Sequence, residues 1–284
     1  DLHLLSRRQR QMCIRDSNSR AYEDIRDLKC DAYIVGSDQV WRKGCMEEIK
    51  DYYFSPIDGR TAKLIAYAAS FGIDEWTYSK KETRFCTRKL KEFTAVSVRE
   101  DSGVELCKRH LNHTAEHVLD PTILLSPADY RKLIGEEGAE KYTNKITAFI
   151  LDRSEDKLAA LEKVSKVLAM DYNFAATETE DRLAPLEKRI APSVADWLKA
   201  MYYADFIFTD SFHGCVFSIL FNKPFVLYVN RNRGVARFDS LLKLFKIENR
   251  TLSDSNELES CRIRQSIDLS LIHISEPTRL LSIS

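Results

Sequence analysis

Six short runs rich in apolar, β-branched and aromatic residues limit the possible folds most sharply: 32–35, 64–67, 95–98, 146–151, 206–208 and 225–229. None of them alternates strictly between apolar and polar. Such continuity suits strands covered on both faces, as in a parallel sheet. Helical patterns separate the runs. Residues 80–93 carry Phe85, Leu90 and Phe93 on one side, and 102–111 open on Asp101-Ser102, both good N-cap types. Residues 156–170 place Leu158, Leu161, Val164, Val167 and Leu168 at helical spacing, and helices over 193–203 and 214–221 follow. Strand–helix alternation predicts βαβ units and an α/β fold.

A chain of 284 residues is long enough for two domains. The break is expected between 125 and 144. Ser126-Pro127 is read as the end of the first set of elements, and 135–143 are polar with two glycines. The expected domains are 18–135 and 136–268. The flanking segments, 1–17 and 269–284, are set apart. Neither end reads as a secretory signal. The strings CIRDS and LIHISEPTR resemble translated sequencing-adapter sequence. Both ends are expected to be non-native tails outside the fold, with the native protein continuing past them.

Lys plus Arg equal Asp plus Glu at 43 each, so no basic excess points to nucleic acid or to an anionic membrane. Any anion site must be local. Seven scattered cysteines without a C-x-x-C suit free thiols in a reducing compartment rather than a disulfide frame or zinc site. No apolar run is long enough to span a bilayer. His110, His113 and His117 have spacing that can bind metal on a helix, but Asn112 and Thr114 follow the expected helix end, so no metal site is expected. No G-x-G-x-x-G, P-loop or Asp-x-Asp occurs.

In open parallel sheets, ligands bind outside the carboxyl ends of the strands. Each run here leads into polar residues at that end: Gly36-Ser37-Asp38, Ser70-Phe71-Gly72, Arg99-Glu100-Asp101, Asp152-Arg153, Asp210-Ser211-Phe212-His213-Gly214 and Asn230-Arg231-Asn232-Arg233. The sharpest local pattern is the strand–S-x-H-G–helix step at Ser211, His213 and Gly214. Amides at a helix start, with the helix dipole, favour an anion. Glycine permits close approach, and histidine can transfer protons near neutral pH. The plainer reading has Ser211 capping the helix and His213 packing. Arg231, Arg233 and Arg237 crowd the next strand-to-helix loop, where guanidinium forks suit carboxylate and phosphate. For Arg99, the plainer reading is an ion pair with Glu100 or Asp101.

With these residues collected, the chain resembles the polysaccharide pyruvyl transferase family. The blocks that carry the resemblance are DAYIVGSDQVW, IAYAASFG, VSVREDSGVELCK, VLDPTILLS, ADFIFTDSFHGCVFSILFNKPFV and NRGVARFDSLLKLFKI, in that order over about 30–250. The resemblance implies two Rossmann-like domains facing a cleft, similar to B-type glycosyltransferases, with the first domain incomplete because its opening strand is expected before Cys30. It implies phosphoenolpyruvate as donor substrate, no cofactor, and a sugar of a surface glycan or its lipid-linked precursor as acceptor. The expected product is a pyruvate ketal. The expected location is cytoplasmic, with no membrane span and room for peripheral membrane association. Many members carry an arginine two residues before the signature histidine, where this chain has Ser211; Arg231, Arg233 or Arg237 could supply that charge.

On this reading His213 serves proton transfer or phosphate contact, and Asp38 is a base or sugar ligand. Arg99, Asp210, Ser211, Gly214, Arg231 and Arg237 bind substrate. Asp38, Arg99, His213 and Arg237 are expected to line one cleft. Two rivals remain: a nucleotide-sugar glycosyltransferase on the same fold, and a non-catalytic glycan-binding relative.

Overall fold

The computed structural model describes residues 30–46, 48–177, 185, 190–229, 234–260 and 263. Both expected tails, and nearly all of the segment before Asp31, lie outside these residues. The chain divides into two compact units, one ending at Leu119 and the other starting at Asp120.

The first unit is built on four parallel strands in sequential order: β1 (Ala32–Val35), β2 (Lys63–Ala69), β3 (Phe93–Val98) and β4 (Glu116–His117). Between β2 and β3 runs α1 (Lys80–Leu90). Ser79 starts it through a capping box: its hydroxyl accepts from the Glu82 N–H while the Glu82 carboxylate accepts from the Ser79 N–H. α2 (Asp101–Leu111) follows β3 directly and ends on Asn112 in the left-handed conformation. An aromatic cluster fills the core. Trp41, fully buried, stacks on Tyr53 with centroids 4.8 Å apart, and Phe71, Trp76 and Tyr78 pack around the pair. The Tyr78 hydroxyl donates to the Trp41 carbonyl at 2.6 Å, and the Trp41 indole donates to the Tyr52 carbonyl at 3.1 Å. The polar ends of these rings are therefore satisfied inside the core.

The second unit starts with a short 3-10 turn, Pro121–Leu124, and α3 (Pro127–Ile134). Ser126-Pro127, read from the sequence as a terminator, instead opens α3. Ser126 caps it reciprocally with Asp129, and proline is well suited to the first helical position. Tyr130 of this helix packs edge-on against Phe217 and Phe221, which is why the division falls at Leu119/Asp120 rather than near 135.

Five parallel strands follow: β5 (Lys145–Phe149), β6 (Asp171–Phe174), β7 (Phe206–Thr209), β8 (Phe225–Tyr228) and β9 (Thr251–Leu252), in spatial order β6-β5-β7-β8-β9. The helices are α4 (Glu155–Leu168), α5 (Val194–Tyr203), α6 (Phe212–Leu220) and α7 (Ala236–Phe245). β7 and β8 are buried along their whole length. Trp197 of α5 meets Phe149 and Phe217 edge-on, at 5.2 and 5.0 Å. The chain leaves β5 toward β6 on one side, then returns to β7 on the other. The carboxyl ends of β5 and β7 therefore flank the point where strand order reverses, the usual place for a ligand in such sheets.

Among the described residues no helix is long and apolar enough to cross a membrane, and no cluster of three or more metal-ligating side chains gathers. His110 stacks on Trp76 with centroids 4.7 Å apart, and the His117 ring lies 3.3 Å from the Arg99 carbonyl oxygen.

Candidate functional site

The start of α6 is organised by short-range contacts. Ser211 is its N-cap, with an extended backbone and a hydroxyl that accepts from the Gly214 N–H at 3.4 Å. Thr209 at the end of β7 donates its hydroxyl to the Phe149 carbonyl at 2.7 Å and accepts from the Ser211 N–H at 3.0 Å. This hydroxyl decides the residue at 214. A Cβ on Gly214 would lie 2.2 Å from Thr209 Oγ1. The glycine is needed for helix-against-strand contact, not to leave room for a ligand. Every residue of α6 is buried except His213, whose side chain is 40% exposed. Its Nε2 faces the Asp120 carboxylate at 3.8 Å, and Asp120 itself is buried.

Phe212 links His213 to a second group. One side of the contact is the His213 ring, edge-on at 5.7 Å. Arg237, in the first turn of α7, holds its guanidinium carbon 5.5 Å from the Phe212 centroid and 5.4 Å from that of Phe238. Arg237 is buried, so aromatic faces take the place of much of its hydration. His213 and Arg237 thus share one aromatic neighbour.

Asp210, expected among the substrate ligands, is committed elsewhere. Its carboxylate is fully buried and accepts from the Leu151 N–H at 2.7 Å, with the Asp152 N–H at 3.5 Å. Lys157 of α4 donates to it at 2.7 Å and also reaches the Asp152 carboxylate and carbonyl. Burial pushes the Asp210 carboxyl above its ordinary value; Asp152 adds to that push, while Lys157 and the Leu151 amide oppose it. The group ties β7 to the loop after β5, directly at the reversal of strand order.

In the first unit, Asp38 and Arg99 form a pair, with guanidinium to carboxylate at 3.2 Å. Arg99 has a side chain only 1% exposed and Asp38 one that is 66% exposed. The cation is supplied from inside and the carboxylate faces water. Glu100, next in sequence to Arg99, turns inward. Its carboxylate accepts from the Phe71 N–H at 2.6 Å and the Gly72 N–H at 3.1 Å. Burial raises the Glu100 carboxyl above its ordinary value, against the pull of Arg99 and of the two amides. The loop that presents Asp38 starts at Gly36, where φ is +139° and a Cβ would sit 1.8 Å from the Tyr67 carbonyl oxygen. Only glycine fits that approach.

Asp38 and Arg99 therefore meet in one unit, and Ser211, His213, Gly214 and Arg237 gather around the start of α6 in the other. Arg231 and Arg233 lie outside the described residues. The sequence reading missed two residues. Lys157 lay within the expected helix 156–170 without being singled out. Asp120 lay within the block VLDPTILLS, and its burial and its approach to His213 single it out.

The fold and these two sets of polar groups define an α/β protein with polar residues grouped at the carboxyl ends of parallel strands. A sequence model described as polysaccharide pyruvyl transferase matches residues 3–232, most of the chain. The chain belongs to the polysaccharide pyruvyl transferase family, whose members are transferases acting on polysaccharides. The match begins at His3, inside the segment set apart in the sequence reading, and ends at Asn232. No curated protein matches the chain. Among solved structures, one titled as a crystal structure analysis of the glycotransferase of kitacinnamycin is similar at 14% identity and a TM-score of 0.36, over 91% of this chain and 70% of that one. A likeness of that degree carries no argument about function.

Proposed function

We propose that this chain transfers a pyruvyl group from phosphoenolpyruvate to a sugar of a cell-surface polysaccharide or its lipid-linked precursor, closing a pyruvate ketal and releasing phosphate. The reaction belongs in the cytoplasm, where the donor is made, and needs no cofactor. The observation that carries the reading, beside family membership, is His213: the one side chain of a buried helix that emerges, at its first turn, with its Nε2 facing the buried Asp120 and its ring against Phe212, which the buried Arg237 also contacts.

The chemistry makes three demands. The donor's phosphate and carboxylate must be held; Arg237 suits that task, and the positive end of the α6 dipole adds to it. The methylene carbon must gain a proton as the central carbon becomes electrophilic, and His213 is the proton-transfer group. An attacking sugar hydroxyl must lose its proton, a role open to the exposed carboxylate of Asp38. Ser211 and Gly214 set the helix start from which His213 projects, and Ser211 leaves the charge of the family's common arginine to Arg237.

The test is phosphate release from phosphoenolpyruvate in the presence of candidate glycans. His213→Ala should lower turnover by about a hundredfold or more, the usual scale for a lost proton-transfer group, with little change in melting temperature. Release of a nucleotide from a nucleotide sugar, or glycan binding with phosphoenolpyruvate left intact, would replace this reading with a glycosyltransferase or a non-catalytic binder.

A further inference from the structure

We propose that Asp120 is a positioning residue that fixes His213 as the Nε2–H tautomer and leaves Nδ1 as the nitrogen that exchanges protons; this rests on the reading of His213 as the proton-transfer group. Asp120 has a side chain 1% exposed, and its carboxylate divides its work. Oδ1 accepts from the Thr122 N–H at 3.0 Å and from the Thr122 hydroxyl at 2.8 Å. Oδ2 faces His213 Nε2 at 3.8 Å. A carboxylate can only accept, so the ring nitrogen turned toward it is the one that carries hydrogen. Thr122 holds one carboxylate oxygen, which fixes the direction of the other. The separation is longer than a hydrogen bond, as such contacts often are before substrate tightens them.

The proton balance is simple. As imidazolium, His213 gives its Nδ1 proton to the methylene carbon of phosphoenolpyruvate and returns to the neutral Nε2–H form. Asp120 neither gains nor loses a proton; it determines which nitrogen does. This is the orienting role that a buried aspartate plays toward histidine in hydrolytic triads.

Asp120→Asn tests the idea with little change of shape. Its amide oxygen can keep both Thr122 donors, which turns the NH2 group toward Nε2. A donor facing Nε2 requires that nitrogen to accept, so the ring should switch to the Nδ1–H form. Nitrogen-15 spectra of the imidazole in the full chain should show Nε2–H in the unmodified protein and Nδ1–H in the variant. Turnover should fall by about a hundredfold or more, as in triads given the wrong tautomer, with KM for phosphoenolpyruvate changed by less than about twofold. An Nδ1–H ring in the unmodified protein overturns the inference whether or not the variant folds. So does a folded Asp120→Asn with full turnover while His213→Ala is inactive. If the unmodified protein releases no phosphate from phosphoenolpyruvate, the transfer reading falls, and the tautomer spectra alone decide whether Asp120 orients the ring.

Discussion

Asp38 and Asp210 occupy comparable places, each in the loop after a parallel strand and each against a cation, yet they do opposite work. At Asp38 the cation is buried and the carboxylate is 66% exposed. At Asp210 both partners are buried, and backbone amides from the loop after β5 point at the carboxylate. A buried charge is tolerated only when donors surround it. Asp210 has its donors and acts as a strut; Asp38 keeps water and stays available. A polar residue at a strand end is therefore not a ligand by position alone. The number of protein donors already converging on it decides.

The contrast breaks first at Asp210. Asp210→Ala leaves Lys157 buried with only Asp152 to answer it, and should destabilise the protein by about 3–5 kcal/mol, the scale for removing one partner of a buried pair. Urea unfolding would show this as a lower midpoint. Asp38→Ala takes a partner from the buried Arg99, but water can enter where the exposed carboxylate stood, so it should cost less, about 1–3 kcal/mol, while lowering turnover. Equal losses of stability in the two variants would erase the distinction between strut and site.

The smallest effect appears only against pH. Glu100 is held above its ordinary value of 4.5, so near and above that pH the folded chain keeps a proton that the unfolded chain has released. Its contribution is fully present below 4.5 and is lost as pH rises through the raised folded value. Glu100→Gln should flatten that decline. A variant whose stability falls across the same window as steeply as the unmodified chain would show that Glu100 does not titrate there.

The strands of both cores were legible because their signal is composition. The run at 32–35 coincides with β1, and 206–208 and 225–229 differ from β7 and β8 by a residue at one end. β4, β6 and β9 were missed. Glu116 and His117 of β4 are exposed, and Asp171–Phe174 is at most half buried, so these strands lack the continuous apolar character of the others. α3 was missed because proline was read as a stop when, after a capping serine, it is a start. At the site, His213 and Arg237 could be picked from local pattern. The sequence pattern did not carry the contacts that hold Asp210 or the approach of Asp120 to His213, because those partners are distant in sequence or are backbone amides, which leave no trace in residue type.

The aromatic core of the first unit has an optical consequence. The chain holds three tryptophans, and they are divided: Trp41 and Trp76 lie in the ring cluster of the first unit, Trp197 in the second. Replacing Trp41 and Trp76 with phenylalanine leaves an emission spectrum that comes from the second unit alone, and replacing Trp197 leaves one that comes from the first. The molecule thus contains its own pair of fluorescent reporters, from which the order in which its two halves come apart can be recorded without an added dye.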